Sequence, residues 1–173
     1  MQELWLLKHD ASIAAGDPLR GANPAPGWQA WRSVEGGLSY AYASGGLPAW
    51  LDASGDGVSR HRLKWLQLLD GASAGQFAAY HYVVETDVLP EYENDLNDWY
   101  AQEHLPGLAS VPGTVRAARY IDVAGSPRYY ACYDLASPDA LGSAAWLAVR
   151  ATAWSARVRP AFRNTRRTMF RAA

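Results

Sequence analysis

The chain has 173 residues, 49% of them hydrophobic and 12% aromatic, which fits one compact domain or two small lobes sharing a core. Its 16 basic and 17 acidic residues nearly balance, so the composition lacks the basic excess typical of nucleic-acid-binding proteins. Cys132 is the only cysteine, which excludes an internal disulfide and a cysteine metal cluster. No apolar run approaches about 18 residues and no basic segment precedes the first one, so we expect a cytoplasmic protein without a membrane span or signal peptide.

The first 75 residues predict short strands separated by loops. Alternating or continuous apolar patterns predict strands at 4–7, 38–43 and 62–69. Three prolines and three glycines within residues 14–27 predict a loop, and Pro48 favours a short helix over 48–53. The small residues of 70–75 mark a boundary, which divides the chain into residues 1–75 and 76–173.

From residue 76 the order of elements is strand, helix, strand, strand, helix, strand. Strands are predicted at 77–84, 114–123, 128–135 and 164–171, and helices at 89–104 and 138–157. The first helix has an apolar face through Leu96, Trp99 and Tyr100, and we expect it to end near Pro106, which cannot continue a helix. The second helix is predicted to start at the cap Ser137, which is followed by proline and an acidic residue.

This order predicts an α+β fold of the ferredoxin-like type, an antiparallel four-stranded sheet with two helices on one face. The other, aromatic-rich face needs a cover, since it cannot stay hydrated at low cost. A second copy of the chain would give a homodimeric α/β barrel. Alternatively, residues 1–75 form a degenerate second lobe and make an internal pseudo-dimer, itself able to dimerise. Tyr-Ala-Tyr-Ala at 40–43 and Ala-Trp-Leu at 49–51 echo Tyr-Ala-Cys-Tyr at 130–133 and Ala-Trp-Leu at 145–147.

The end of the first predicted helix holds the sharpest candidate site. Tyr100 and His104 are four residues apart and share one helical face, while Trp99 and Glu103 share the adjacent face. Because histidine titrates near neutrality, His104 is a candidate general acid or base with Trp99 and Tyr100 as pocket walls. The alternative role for His104 is to cap the last carbonyl groups of the helix.

His81 is the second candidate, in the middle of the first strand of the C-terminal half. Alternation places its side chain on the face opposite Tyr80 and Tyr82, and the inner face of the barrel is one option for His81. Arg119 and Arg128 lie on neighbouring strands, where they either face the same lumen and neutralise a carboxylate or phenolate ligand, or lie solvated at strand edges. Histidine-ligand spacings and nucleotide-binding loops are absent from the sequence, so we expect no metal and no cofactor.

The string DWYAQEHLPGLASVPGTVRAARY at residues 98–120 resembles the EthD-like branch of the dimeric α/β-barrel superfamily. The resemblance rests on Trp-Tyr at 99–100, His-Leu-Pro at 104–106, the Pro-Gly turn at 112–113 and Arg-Tyr at 119–120, and it covers about residues 76–171. That superfamily includes cofactor-free monooxygenases, polyketide cyclases, dehydratases and isomerases, and members with no known activity. In several of these the helix-end histidine is the proposed acid or base, a role that the resemblance assigns to His104.

The resulting hypothesis is a cofactor-independent enzyme acting on a hydrophobic or aromatic small molecule, of the cyclase, dehydratase, isomerase or monooxygenase type. His104 would be the acid or base, with His81 or Arg119 orienting the substrate. Four aromatic side chains would shape the pocket: Trp99, Tyr100, Tyr80 and Tyr82. The alternative hypothesis is a non-catalytic protein on the same barrel scaffold, which binds small molecules or associates with itself. Neither hypothesis involves nucleic acid or a membrane as a partner.

Overall fold

The computed structural model describes residues 4–13, 16–19, 27–47 and 57–173. Within these ranges, eight strands form one closed antiparallel barrel in the order β1-β3-β2-β8-β5-β7-β6-β4. The strands are β1 Leu4–Asp10, β2 Gln29–Ser33, β3 Leu38–Ser44, β4 Val58–Asp70, β5 Tyr80–Val88, β6 Thr114–Asp122, β7 Tyr129–Leu135 and β8 Phe162–Ala172. An α+β barrel of antiparallel strands is therefore confirmed.

The two halves of the barrel have the same strand order. The strands of each half can be numbered one to four in chain order. Around the barrel, the β4-β1-β3-β2 group and the β8-β5-β7-β6 group then both have the order four, one, three, two. The groups join where β2 pairs with β8 and where β4 pairs with β6. The strands before residue 71 thereby cover the inner face of the strands after residue 79, within a single chain.

The helices follow β5 and β7 and pack on the outer face of the second group of strands. The helices are α1 Glu93–Trp99, α2 Leu105–Ala109, α3 Ala144–Arg150 and α4 Ala153–Val158. A 3-10 turn at Pro90–Tyr92 precedes α1, and a π turn at Tyr100–His104 joins α1 to α2. None of these helices is long and apolar enough to cross a bilayer.

Both predicted helices differ from the structure at their ends. The first continues past Pro106 to Ala109, because Pro106 lies in the first turn of α2, where a missing N–H costs little. The second is divided into α3 and α4, because Ser143 and Thr152 each cap a new helix by accepting a backbone N–H. The predicted cap Ser137 does accept the Asp139 N–H, but only a 3-10 turn follows it.

In the N-terminal half, the predicted strands at 4–7, 38–43 and 62–69 lie within β1, β3 and β4. The strand β2 was missed, since Gln29–Ser33 is short and chemically mixed, and pairing with β3 and β8 rather than local pattern holds it extended. The predicted helix at 48–53, and with it part of the proposed internal echo, lies outside the described residues, as do residues 14–15 and 20–26 of the predicted loop.

Two cores lie on the two faces of β5 and its neighbours. Tyr82 and Val84 face outward into the core beneath the helices, together with Trp99 and Trp146. Val83 faces inward into the barrel lumen. The alternation of β5 therefore separates the chain's candidate residues into two environments.

Candidate functional site

The π turn positions His104. Leu96 and Trp99 anchor α1 in the outer core, and Leu105 and Leu108 anchor α2 in the same core. A π turn holds more residues than an α turn, so residues five apart lie nearly above one another. The imidazole of His104 stacks on Trp99 with ring centroids 4.1 Å apart and an interplanar angle of 20°.

The predicted pairing of Tyr100 with His104 is confirmed, as the two rings meet edge to face at 5.3 Å. Trp99 and Glu103 were expected to share the adjacent face; the ring that stacks on Trp99 is that of His104, five residues further along the π turn. The Glu103 carboxylate accepts a hydrogen bond from Thr152 Oγ1 at 2.5 Å, away from the imidazole.

These side chains surround a small pocket between the helices and the sheet, which we call the helix-side pocket. Its volume is about 30 Å³, near that of one water molecule in the liquid. It is lined by Tyr82, Val84, Trp99, Tyr100, His104, Leu108, Tyr133, Trp146, Arg150, Arg159, Phe162 and Arg167. Within the described residues this lining contains three arginines and no carboxylate.

The electrostatics of the pocket favour a neutral His104. Burial, and then the positive charges of Arg159 and Arg150, lower the pKa of His104 to about 3. Its Nδ1 atom is buried and has no hydrogen-bond partner among the described residues. A buried, unpaired ring nitrogen marks a place where a ligand or water could bind.

Arg119 adds a further buried charge on this side of the sheet. It is 3% exposed, and its guanidinium lies 4.3 Å from the ring centre of Tyr100 and 4.9 Å from that of Tyr129. Its Nε and Nη2 atoms have no partner in the described part of the chain, and neither has the Tyr133 hydroxyl. The option that Arg119 faces the lumen is therefore wrong. Arg128 lies 42% exposed at the surface and pairs with Glu93 at 3.0 Å.

His81 lies on the opposite face of the sheet. Its Nδ1 is 2.6 Å from Asp134 Oδ1 and its Nε2 is 2.9 Å from the Tyr42 hydroxyl. Trp31 stacks on the imidazole at 4.7 Å. The structure thus brings His104, Trp99, Tyr100 and Tyr82 together and places His81 in the lumen.

Some residues of the helix-side pocket were missed. Tyr80 packs at the edge of the outer core but does not line the pocket. Trp146, Arg150, Arg159 and Arg167 line the pocket, and none of them was predicted from the sequence as a site residue. For the three arginines, the only indication in the sequence is that arginines are concentrated after residue 149. The sequence does not show where these side chains lie in space.

The sequence matches no family model and no curated protein. The fold is similar to that of a proposed monooxygenase from Fusobacterium nucleatum subsp. nucleatum ATCC 25586, with a TM-score of 0.63 at 12% identity, covering 99% of this chain and 92% of that one. An anthrone oxidase-like protein has a TM-score of 0.59 at 14% identity, covering 99% and 91%. A heme-degrading enzyme from Listeria monocytogenes has a TM-score of 0.58 at 10% identity, covering 99% of each chain. At these identities the likeness shows the α/β-barrel fold alone.

Proposed function

We propose that this protein is a cofactor-independent enzyme that acts on a hydrophobic or aromatic small molecule, with His104 as its acid or base. One observation carries the proposal: a buried histidine with an unpaired nitrogen closes an aromatic pocket that is rich in arginine and, within the described residues, free of carboxylates. The names of the structural neighbours, a monooxygenase, an anthrone oxidase-like protein and a heme-degrading enzyme, support enzymatic activity on this fold.

The proposed chemical step is a proton transfer to His104. A neutral imidazole, with its pKa lowered to about 3 by burial and by Arg159, holds no proton on its acceptor nitrogen at neutral pH. It accepts a proton from an acidic C–H or O–H bond of the substrate, and the electron pair stays on the substrate as an enolate or phenolate. The guanidinium groups stabilise this anion. The anion in turn favours the imidazolium form, which offsets the weak basicity of free His104.

This step suits cyclisation, dehydration and isomerisation, which begin with the loss of a proton next to a carbonyl group. It also suits oxygenation of a phenol or anthrone, in which the anion would react further with dioxygen. Trp99 and Tyr100 would hold the aromatic substrate, and Tyr82 would form the floor of the pocket.

The small volume of the helix-side pocket supports a second candidate function, that of a non-catalytic protein. Since about 30 Å³ does not hold an aromatic ring, a substrate enters only when side chains at the mouth move. Arg150 and Arg159 are partly exposed at this mouth. If they do not move, the protein's own aromatic side chains fill the site, and the protein is a non-catalytic binding or self-association protein on the same barrel.

Anthrone is a suitable probe for the enzymatic function and for the non-catalytic alternative, because its C10–H is acidic and its oxidation is easily followed. We expect wild-type protein in D₂O to accelerate deuterium incorporation at C10, measured by NMR, with O₂ consumption measured separately. His104→Phe, which keeps an aromatic ring on Trp99, should abolish the acceleration with little loss of stability, while His61→Ala, a change of a partly exposed histidine outside the pocket, should keep it. Binding without exchange in the wild type would favour the non-catalytic alternative, and the absence of both would contradict an aromatic substrate.

We also propose that the chain is an EthD-like barrel in which residues 1–75 supply a degenerate ferredoxin-like lobe and residues 76–173 the EthD-type domain. The shared strand order of the two groups and the β2–β8 and β4–β6 junctions within one chain support this division. The internal pseudo-dimer then replaces a homodimer, and light scattering at micromolar concentration should give a mass near 18.9 kDa. Twice that mass would indicate that two closed barrels associate.

A further inference from the structure

A second cavity lies at one end of the barrel, on the inner side of the sheet; we call it the barrel-mouth cavity. Its volume is about 210 Å³. An apolar cavity of about 150 Å³ in another protein holds benzene, so this one has room for a single substituted ring. It is lined by Leu4, Gly27, Gln29, Tyr42, Ser44, Trp65, His81, Arg116 and Tyr120.

One wall of the barrel-mouth cavity is a chain of buried hydrogen bonds. Asp134 accepts from His81 Nδ1 at 2.6 Å, and His81 Nε2 lies 2.9 Å from the Tyr42 hydroxyl. All three side chains are buried. Burial alone would raise the pKa of Asp134, but hydrogen bonding and charge from His81 and Arg116 together hold it below its usual value. The carboxylate is therefore an acceptor, and Nδ1–H of His81 is the donor of their hydrogen bond.

The hydroxyl oxygen of Tyr42 can accept a further hydrogen bond from a ligand. Whichever of the two atoms is the donor in the contact between the Tyr42 hydroxyl and His81 Nε2, the Tyr42 oxygen keeps at least one lone pair for another donor. Among the described residues, the other hydrogen-bond contact of this oxygen is a weak one with Cys132 Sγ at 3.7 Å. Gln29 and Ser44 supply further polar groups on the rim.

The charge of the barrel-mouth cavity is balanced within its own wall. Arg116 binds Asp134 with its Nε at 2.9 Å and its Nη2 at 2.7 Å. The same Nη2 also lies 3.3 Å from Gln29 Oε1. The charge of Arg116 is therefore neutralised by Asp134, and the described lining of the cavity offers a charged ligand no free charge of opposite sign. In the helix-side pocket, by contrast, the lining contains arginines and no described carboxylate.

We infer that the barrel-mouth cavity is a second small-molecule site, which binds an uncharged ring-sized molecule whose hydroxyl group donates a hydrogen bond to Tyr42. Trp65 and Tyr120, whose rings lie 4.7 Å apart, supply an apolar wall for the ring of the ligand. The site does not depend on His104 or on the function proposed for it, since the sheet separates the two.

Phenol is the probe, because it is neutral at pH 7 and carries one hydroxyl on one ring. Protein with isotope-labelled histidine is titrated with phenol, benzoate and toluene, and ring signals are followed by NMR while calorimetry gives affinities. We expect phenol to shift the signals of His81 and not those of His104, with benzoate and toluene binding at least tenfold more weakly. Equal binding of the three probes, or phenol binding that leaves His81 unshifted, would overturn the inference.

Two residues on one strand give a matched pair of variants. Tyr42→Phe removes the acceptor and should weaken phenol binding about tenfold, the scale of one hydrogen bond. Tyr40→Phe removes a buried hydroxyl that donates to Glu85 at 2.7 Å, outside this cavity, and should leave phenol affinity unchanged. If Tyr42→Phe does not fold, Ser44→Phe fills the cavity from an exposed rim position and should abolish binding. Retained affinity in Ser44→Phe would overturn the inference.

Discussion

His104 and His81 lie on opposite faces of one sheet, in settings that share burial and stacking but differ in charge and hydrogen bonding. Each is buried, and each stacks nearly parallel on a tryptophan, Trp99 and Trp31 respectively. His81 has hydrogen-bond partners at both nitrogens, including the carboxylate of Asp134, whereas His104 has an unpaired Nδ1 among arginines. Burial and stacking are therefore shared properties, and the two histidines differ in the charge and the hydrogen bonding of their neighbours.

Removing the carboxylate beside His81 should have the largest effect. We expect Asp134→Ala to lower the free energy of unfolding by about 3 kcal/mol, because it leaves His81 and Arg116 without their shared partner. The control Asp98→Ala changes an exposed carboxylate and should cost less than about 0.5 kcal/mol. Urea denaturation measures both.

The same variant has a signed pH dependence. The pKa of Asp134 is lowered in the folded state, so its contribution to stability is present above the unfolded value of about 3.9 and is lost as the pH falls through the lower folded value. The difference between wild type and Asp134→Ala should therefore shrink below about pH 4. A difference under 1 kcal/mol at pH 7 would contradict the role given to this carboxylate.

His104 should have the second largest effect, with a pH dependence in a different range. Its folded pKa of about 3 lies below the unfolded value of about 6.5, so the unfolded chain binds a proton first and stability falls as the pH drops below 6.5. The contribution of one such group is about 2 kcal/mol between pH 6.5 and pH 5. His104→Phe keeps an aromatic ring on Trp99 and should flatten the stability curve over this range. Parallel curves for variant and wild type would show that His104 is not held neutral.

Arg119 should have the smallest effect on folding. Its buried charge lacks a carboxylate partner, so we expect Arg119→Met to change the free energy of unfolding by less than about 1 kcal/mol, or to raise it. The same variant should lose the exchange activity on anthrone, while Arg128→Met, at the nearby surface, should keep it. A loss above 2 kcal/mol would assign Arg119 to the structure instead of the site.

The sequence predicted the fold best where local patterns were complete. Every strand of the C-terminal half follows a buried or alternating run of its own, and all four were located. The strand β2 has no such pattern, because its extended conformation depends on partners far along the chain. The short caps Ser143 and Thr152, which divide the second predicted helix, are common residues whose capping role becomes visible only with the geometry.

The candidate site was predicted in part for a similar reason. Helical spacing joined Tyr100 to His104, and alternation placed Tyr82 opposite His81. Alternation along β6 cannot tell whether Arg119 faces the inside or the outside of the barrel, and a register shift between Thr114 and Arg116 interrupts counting along this strand. Asp134 was not predicted as a partner of His81, because the two residues are brought together only by the register between β5 and β7.

The π turn at Tyr100–His104 also affects how this segment should be aligned with related sequences. A π turn contains about one residue more than an α turn, so it amounts to one extra codon in an otherwise α-helical stretch whose Leu96 and Leu105 both lie in the outer core. Alignments of this segment should therefore allow a one-residue gap between Trp99 and His104, and an ungapped comparison would pair the histidine with the wrong position of a straight helix.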